Sequence, residues 1–237
     1  MEIDTIVIAG EGELADRIKE KFSNAGLTAS ISKSNFANAW IVIEALAEER
    51  EARKLILSTA EKQTNGSAIL ATTSGSGITE MAAAIKDSGK FAGLNFIFNP
   101  LQDKFVVQIV KCVGTSEQTI DICKKLVEKI GGTALITEDS PGLVLDRIKA
   151  MAINEAAIMY EARLATIEDI DRTTKLCLNW PMGPFEFADT IGLDNVMATL
   201  EALLQGGYQL TPSRLLKGMV AMGMLGKKSG KGFYTYK

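Results

Sequence analysis

The sequence predicts an α/β fold, a parallel sheet covered by helices on both faces, followed by an all-α C-terminal region. Three observations carry this. Short, continuously apolar runs alternate with helically spaced stretches through residue 138, the pattern of strands buried on both faces. After Glu138-Asp139-Ser140-Pro141-Gly142 only helical periodicity follows. Hydrophobic residues make up 46% of the 237 and charged residues 23%, enough for a packed core. The expected domains are residues 1–138 and 139–237.

Residues 5–9 are an apolar run ending in Gly10-Glu11-Gly12, and residues 13–22 have helical spacing. Residues 27–32 read as a second strand and 39–46 as a third, too apolar to be half exposed. Residues 48–62 are helical, 68–73 a strand and 78–85 a short helix. Strands follow at 91–98 and 105–111, then a helix over 116–130 closed by Gly131-Gly132, and a last strand at 133–137. In the second part a long helix over 143–164 carries the stripe Leu145, Ile148, Ile153, Ala156 and Ala157. Shorter helices break at residues 181–184 and at Gly206-Gly207.

One connection is unusually short. Only residues 33–38 separate the second strand from the third, whereas a parallel crossover normally takes about a dozen residues or more. Eight extended steps span at most about 26–29 Å. That returns the chain across a sheet but leaves no room for a helix, so the sheet is shortened here.

Net charge is −3 with acids and bases well mixed, which leaves no footprint for nucleic acid or a membrane surface. No apolar run approaches the ~20 residues of a membrane span. The N-terminus, with two acids and a strand-like run, does not read as a secretory signal. The three cysteines, Cys112, Cys123 and Cys177, form no CxxC; neither a disulfide framework nor a metal site is expected, and the cytoplasm is the expected compartment. The sequence contains no histidine, so imidazole chemistry is excluded.

Gly10-Glu11-Gly12-Glu13-Leu14-Ala15 follows a strand and opens a helix. That is the context in which GxGxxA binds a pyrophosphate: Gly10 for the turn, Gly12 for phosphate approach, Ala15 for packing helix on strand. This is the signature of a Rossmann unit. Glu11 and Glu13 place two carboxylates beside the loop, where they suit a helix N-terminus. The acid expected about 20 residues on, to bind the ribose, is missing; the strand ends Ile31-Ser32-Lys33-Ser34. A lysine flanked by serines suits a 2′-phosphate, or is simply a solvated strand end. NAD, NADP and a scaffold without cofactor all stay open.

Several segments together resemble one family, the 3-hydroxyacyl-CoA dehydrogenases. Ile43-Glu44-Ala45 with Glu48 and Arg53 is similar to its I-E-A-x-x-E-x-x-x-x-K segment. AILATTSGSGITE at 68–80 is similar to A-I-L-A-S-N-T-S-S-L-S-I-T-E, one residue shorter, and Phe96-Ile97-Phe98-Asn99-Pro100 to H-F-F-N-P. Asp139-Ser140-Pro141-Gly142 with Asp146-Arg147 resembles D-x-P-G-F-V-x-N-R. The longest matches are PMGPFEFADTIGLD at 181–194 and GMLGKKSGKGFYTY at 223–236. The resemblance implies an NAD-binding Rossmann domain, a helical domain that forms a homodimer, an acyl-CoA ligand from fatty-acid metabolism, and hydride transfer at its C3 hydroxyl. It implies cofactor contacts at Gly10, Gly12, Ala15, Ala45, Glu48, Arg53 and Asn99. It also implies a histidine that takes the hydroxyl proton, a glutamate that orients it, and a serine and an asparagine that hold the substrate oxygen.

The chain departs from that pattern. Counting back from Asn99-Pro100 puts the histidine position at Phe96, or at Asn95 if the register slips by one. The glutamate position is Gln108, which hydrogen-bonds but carries no charge. Ser74 keeps the serine position. Asp146 replaces the asparagine, either as a substitute base made basic by burial or as a helix cap or cation partner. The helical excursion that clamps CoA in the family has no counterpart in residues 33–38. Two readings follow: an oxidoreductase with weakened activity, or a non-catalytic dimeric relative that binds a ligand or a partner.

Overall fold

The computed structural model describes residues 5–46, 50–75, 77–98 and 103–236. The chain divides into two compact units, one running to Ser140 and the other starting at Pro141. Asp139 belongs with the first: its carboxylate accepts from Thr79 N at 2.8 Å.

The first unit is a seven-stranded sheet. Its strands are β1 (Ile6–Gly10), β2 (Ala29–Ile31), β3 (Ile41–Ala45), β4 (Ile69–Thr72), β5 (Phe91–Phe98), β6 (Phe105–Lys111) and β7 (Thr133–Glu138). The spatial order is β2-β1-β3-β4-β5-β6-β7. β1 and β3 are buried at every position, which is why they read as unbroken apolar runs. The sheet is mixed rather than wholly parallel. The first five strands are parallel, β6 runs antiparallel to β5, and β7 is parallel to β6. The six residues between β5 and β6 are too few for a parallel crossover, so the two strands pair as neighbours in a hairpin.

Helices α1 (Glu13–Asn24), α2 (Arg50–Gln63), α3 (Ile78–Ala82) and α4 (Glu117–Lys129) connect the strands. α1 buries Ala15, Ile18 and Phe22, one helical stripe. Burial of a ring such as Phe22 stabilises by about 1.5–3 kcal/mol. α4 starts at Ser116, whose hydroxyl accepts from Thr119 N at 3.2 Å, and buries Ile120, Cys123, Leu126 and Val127. Burial pushes the Cys123 thiol up to about 12, so it packs as an inert apolar group.

Several expected bounds contract: β2 is three residues long and α3 five. The short crossover carries no helix. The side chain of Gln63 pins it, donating to Ser34 O and accepting from Phe36 N, both at 2.8 Å. Phe36 is fully buried, so the loop is fixed by a plug and a clamp, neither visible as periodicity.

The second unit contains α5 (Leu145–Glu161), α6 (Ile167–Leu178), α7 (Pro184–Ile191), α8 (Leu193–Gln205) and α9 (Arg214–Ala221). α5 is shorter than the expected 143–164 because left-handed residues flank it, Leu143 at φ 44° and Arg163 at φ 57°. Its core includes Ile153, Ala157, Phe185, Val196, Leu200 and Leu216. Two buried aspartates organise the rest. Asp171 accepts from Phe185 N and the Tyr234 hydroxyl, both at 2.8 Å. Asp189 accepts from Phe233 N, Tyr234 N and the Tyr236 hydroxyl at 2.9, 2.8 and 2.9 Å. The two long sequence motifs of this unit therefore meet each other through carboxylates.

Burial, then the hydrogen bonds to Asp171 and Asp189, raise both tyrosine pKa values above the ordinary 10.0. A raised folded-state pKa contributes stability that is complete below the unfolded value and lost as pH rises through the folded one. Thermal midpoints are therefore expected to fall above pH 10. The Tyr234→Phe/Tyr236→Phe protein, though less stable at neutral pH, should lose less between about pH 9.5 and 11. A fall equally steep in both proteins would reject this assignment. Among the described residues no helix is long and apolar enough to cross a membrane.

Candidate functional site

Gly10 closes β1 beside the end of β3. A Cβ there would stand 2.3 Å from Ala45 O, so only glycine allows this approach, and Ala45 is itself buried. Gly12, at φ 86° and ψ −177°, precedes α1 in a conformation that favours glycine, and a Cβ on it would meet nothing within 4 Å. No side chain caps α1. Its first amide groups and the positive end of its dipole face an open cradle, while Ala15 packs fully buried beneath. This geometry fits a diphosphate.

Both loop carboxylates have cationic partners. Glu11 Oε1 lies 2.6 Å from Lys33 Nζ, and Glu13 Oε1 lies 3.7 Å from Arg17 Nη1. Lys33, expected as a phosphate ligand or a solvated strand end, thus ties the end of β2 to the glycine loop. Glu48 and Asn99 lie outside the described residues. Arg53 is on α2, with Nη1 3.7 Å from Glu44 Oε2. Glu44 is fully buried and accepts from Thr72 Oγ1 at 2.5 Å and from Leu46 N at 2.6 Å. A buried carboxylate requires such partners. The sequence places Glu44 and Arg53 in one segment of the resemblance, but not their contact or the role of Thr72; the signal for it was an acid inside the run AWIVIEAL.

Asn95 and Gln108 are direct partners across β5 and β6. Gln108 Nε2 donates to Asn95 Oδ1 at 3.1 Å, and Asn95 Nδ2 donates to Thr73 O at 3.2 Å. Thr73 precedes Ser74, whose backbone N–H donates to Thr72 Oγ1 at 3.1 Å, so Ser74 is held beside this pair. Phe96 points the other way. It belongs to the core under the helices and stacks with Phe98 and Phe105, centroids 6.2 and 6.4 Å apart. Successive strand residues face opposite sides of a sheet, so Asn95 and Phe96 cannot share a site. Two carboxamides donate and accept hydrogen bonds but do not exchange protons near neutral pH.

Asp146 lies in the second unit, in the first turn of α5. Its side chain is 52% exposed and its Oδ1 is 3.5 Å from Lys149 Nζ. Of the roles suggested by the sequence, this contact is that of a cation partner.

Residues 5–140 match the family described as 3-hydroxyacyl-CoA dehydrogenase, NAD binding domain, and residues 142–236 match its C-terminal domain. The chain is 35% identical over 229 residues to the probable 3-hydroxybutyryl-CoA dehydrogenase of Deinococcus radiodurans, covering 95% of this chain and 81% of that protein. It is 32% identical over 231 residues to the mitochondrial hydroxyacyl-coenzyme A dehydrogenase of Rattus norvegicus, covering 94% and 72%. The crystal structure of (S)-3-hydroxybutyryl-CoA dehydrogenase from Ralstonia eutropha superposes with a TM-score of 0.92 at 28% identity, over 100% of both chains. The N-terminal unit is thus an NAD(P)-binding domain, and the chain belongs to the 3-hydroxyacyl-CoA dehydrogenase family.

Proposed function

We propose that this protein binds NAD(H) and a 3-hydroxyacyl-CoA-like ligand but turns it over slowly, because a carboxamide pair stands where the family places its proton-transferring pair. The observation that carries this is Asn95 facing Gln108 across β5 and β6 at 3.1 Å. Gln108 matches the family's glutamate position, and its direct partner is Asn95; this supports Asn95 rather than Phe96 as the histidine position. When bound, the nicotinamide supplies the hydride acceptor. The protein's own residues cradle the diphosphate at Gly10–Gly12, hold a substrate oxygen at Ser74, and present amide hydrogen bonds at Asn95. None of these removes the hydroxyl proton, a contribution of about 10²–10⁴-fold in rate.

The test is a titration with NADH together with a rate assay on 3-hydroxybutyryl-CoA and NAD. Micromolar NADH binding is expected, with turnover at least about 10²-fold below that of the Ralstonia eutropha enzyme in the same assay. Comparable turnover would overturn the proposal.

The helical unit exposes Leu164, Leu176, Leu178 and Met222, each 60% or more accessible. Clusters of exposed large apolar side chains mark association surfaces, which supports a homodimer through this unit. Sedimentation velocity should show a dimer at micromolar concentration; a monomer would reject it.

A further inference from the structure

We infer that Glu11 replaces the ribose-binding acid missing from the end of β2, that Lys33 holds it in place, and that the site therefore prefers NAD(H) to NADP(H). This rests on the dinucleotide reading of the glycine loop. In a Rossmann unit the carboxylate at the end of the second strand accepts from the ribose 2′-hydroxyl. Here β2 ends at Ile31 and continues Ser32-Lys33. Ser32 Oγ accepts from Ser34 N at 3.3 Å and from Asn35 N at 3.0 Å, so its hydroxyl oxygen is engaged in the local turn. Lys33 leaves that turn and meets Glu11 at 2.6 Å. A carboxylate therefore does stand by the end of β2, but the glycine loop delivers it.

The sign of charge decides what this arrangement selects. Glu11 is 73% exposed and Lys33 41% exposed along their side chains, so both are accessible to an incoming nucleotide. A ribose with free hydroxyls finds an acceptor in Glu11 while Lys33 keeps its partner. A 2′-phosphate carries about −1.5 to −2 charges; it meets the Glu11 carboxylate and must take Lys33 away from it. The other charged groups at this end of α1 are Glu13, Asp16 and Arg17. Glu13 and Arg17 pair with each other at 3.7 Å, and the exposed Asp16 adds a second negative charge that disfavours a 2′-phosphate.

The experiment is a calorimetric titration of the full chain and of Glu11→Gln and Lys33→Met with NADH and NADPH. All three should melt alike, since the two side chains are exposed. The unsubstituted protein should bind NADH at least about tenfold more tightly than NADPH, the scale of one charge-assisted hydrogen bond. Glu11→Gln should weaken NADH and strengthen NADPH until the preference vanishes or inverts. Lys33→Met should keep NADH ahead. NADH binding with an unchanged ratio in Glu11→Gln, or an initial preference for NADPH, would overturn this inference alone. Binding of neither nucleotide would overturn the dinucleotide reading with it.

Discussion

Asn95→His combined with Gln108→Glu is expected to raise the rate of NAD-dependent 3-hydroxyacyl-CoA oxidation by about 10²–10⁴-fold, the usual contribution of a positioned general base. The two positions are register partners on one face of the hairpin, 3.1 Å apart through their amide groups. An imidazole and a carboxylate placed there would meet at hydrogen-bond distance. The effect should be non-additive. Gln108 is 1% exposed, so Gln108→Glu alone buries a carboxylate against the neutral Asn95 amide and should cost up to about 3–5 kcal/mol of stability. Adding Asn95→His should recover much of that loss. The gain should appear in kcat, because the substitutions add proton transfer at the reacting hydroxyl rather than new ground-state binding contacts. Adding Ser74→Ala should lower the gained rate. Initial rates of NADH formation for both single variants and the double variant decide the matter. A double variant no faster than the parent would remove Asn95 from the histidine position.

Asp189→Ala should destabilise the helical unit by about 3–6 kcal/mol. It strands three donors, Phe233 N, Tyr234 N and the Tyr236 hydroxyl, and a buried group left without its partner costs about 1–3 kcal/mol. Asp189 is 1% exposed, so water does not readily substitute. Gly232→Ala should act through the same contact, since its Cβ would stand 1.9 Å from Asp189 Oδ1. Asp189→Asn keeps one acceptor oxygen and should lose less. Urea unfolding in a Trp40→Phe background, followed through the fluorescence of Trp180, measures all three. A loss below about 1 kcal/mol for Asp189→Ala would show that the closing turn does not depend on this carboxylate.

Much of the fold was legible because its cues are local. Buried parallel strands read as unbroken apolar runs, and β5 and β6 have the expected bounds, 91–98 and 105–111. The site was less legible because its contacts are long-range. Glu44 meets Thr72 28 residues away, and Gln63 meets Phe36 27 residues away. No periodicity reports such pairs. Asp146 is a local case: of the two roles its motif position suggested, base or cation partner, the structure shows the contact of the second, with Lys149 three residues on along α5.

By itself the sequence determined the order of strands and helices, the glycine loop at residues 10–15, and the exclusion of imidazole chemistry through the absence of histidine. These follow from residue type and spacing along one chain. Only the tertiary structure decided that β6 reverses, that Asn95 rather than Phe96 faces Gln108, and that Glu11 stands against Lys33. The physical reason is cross-strand register. One residue of slip turns a side chain from one face of the sheet to the other, and that choice is made by pairing between segments distant in sequence.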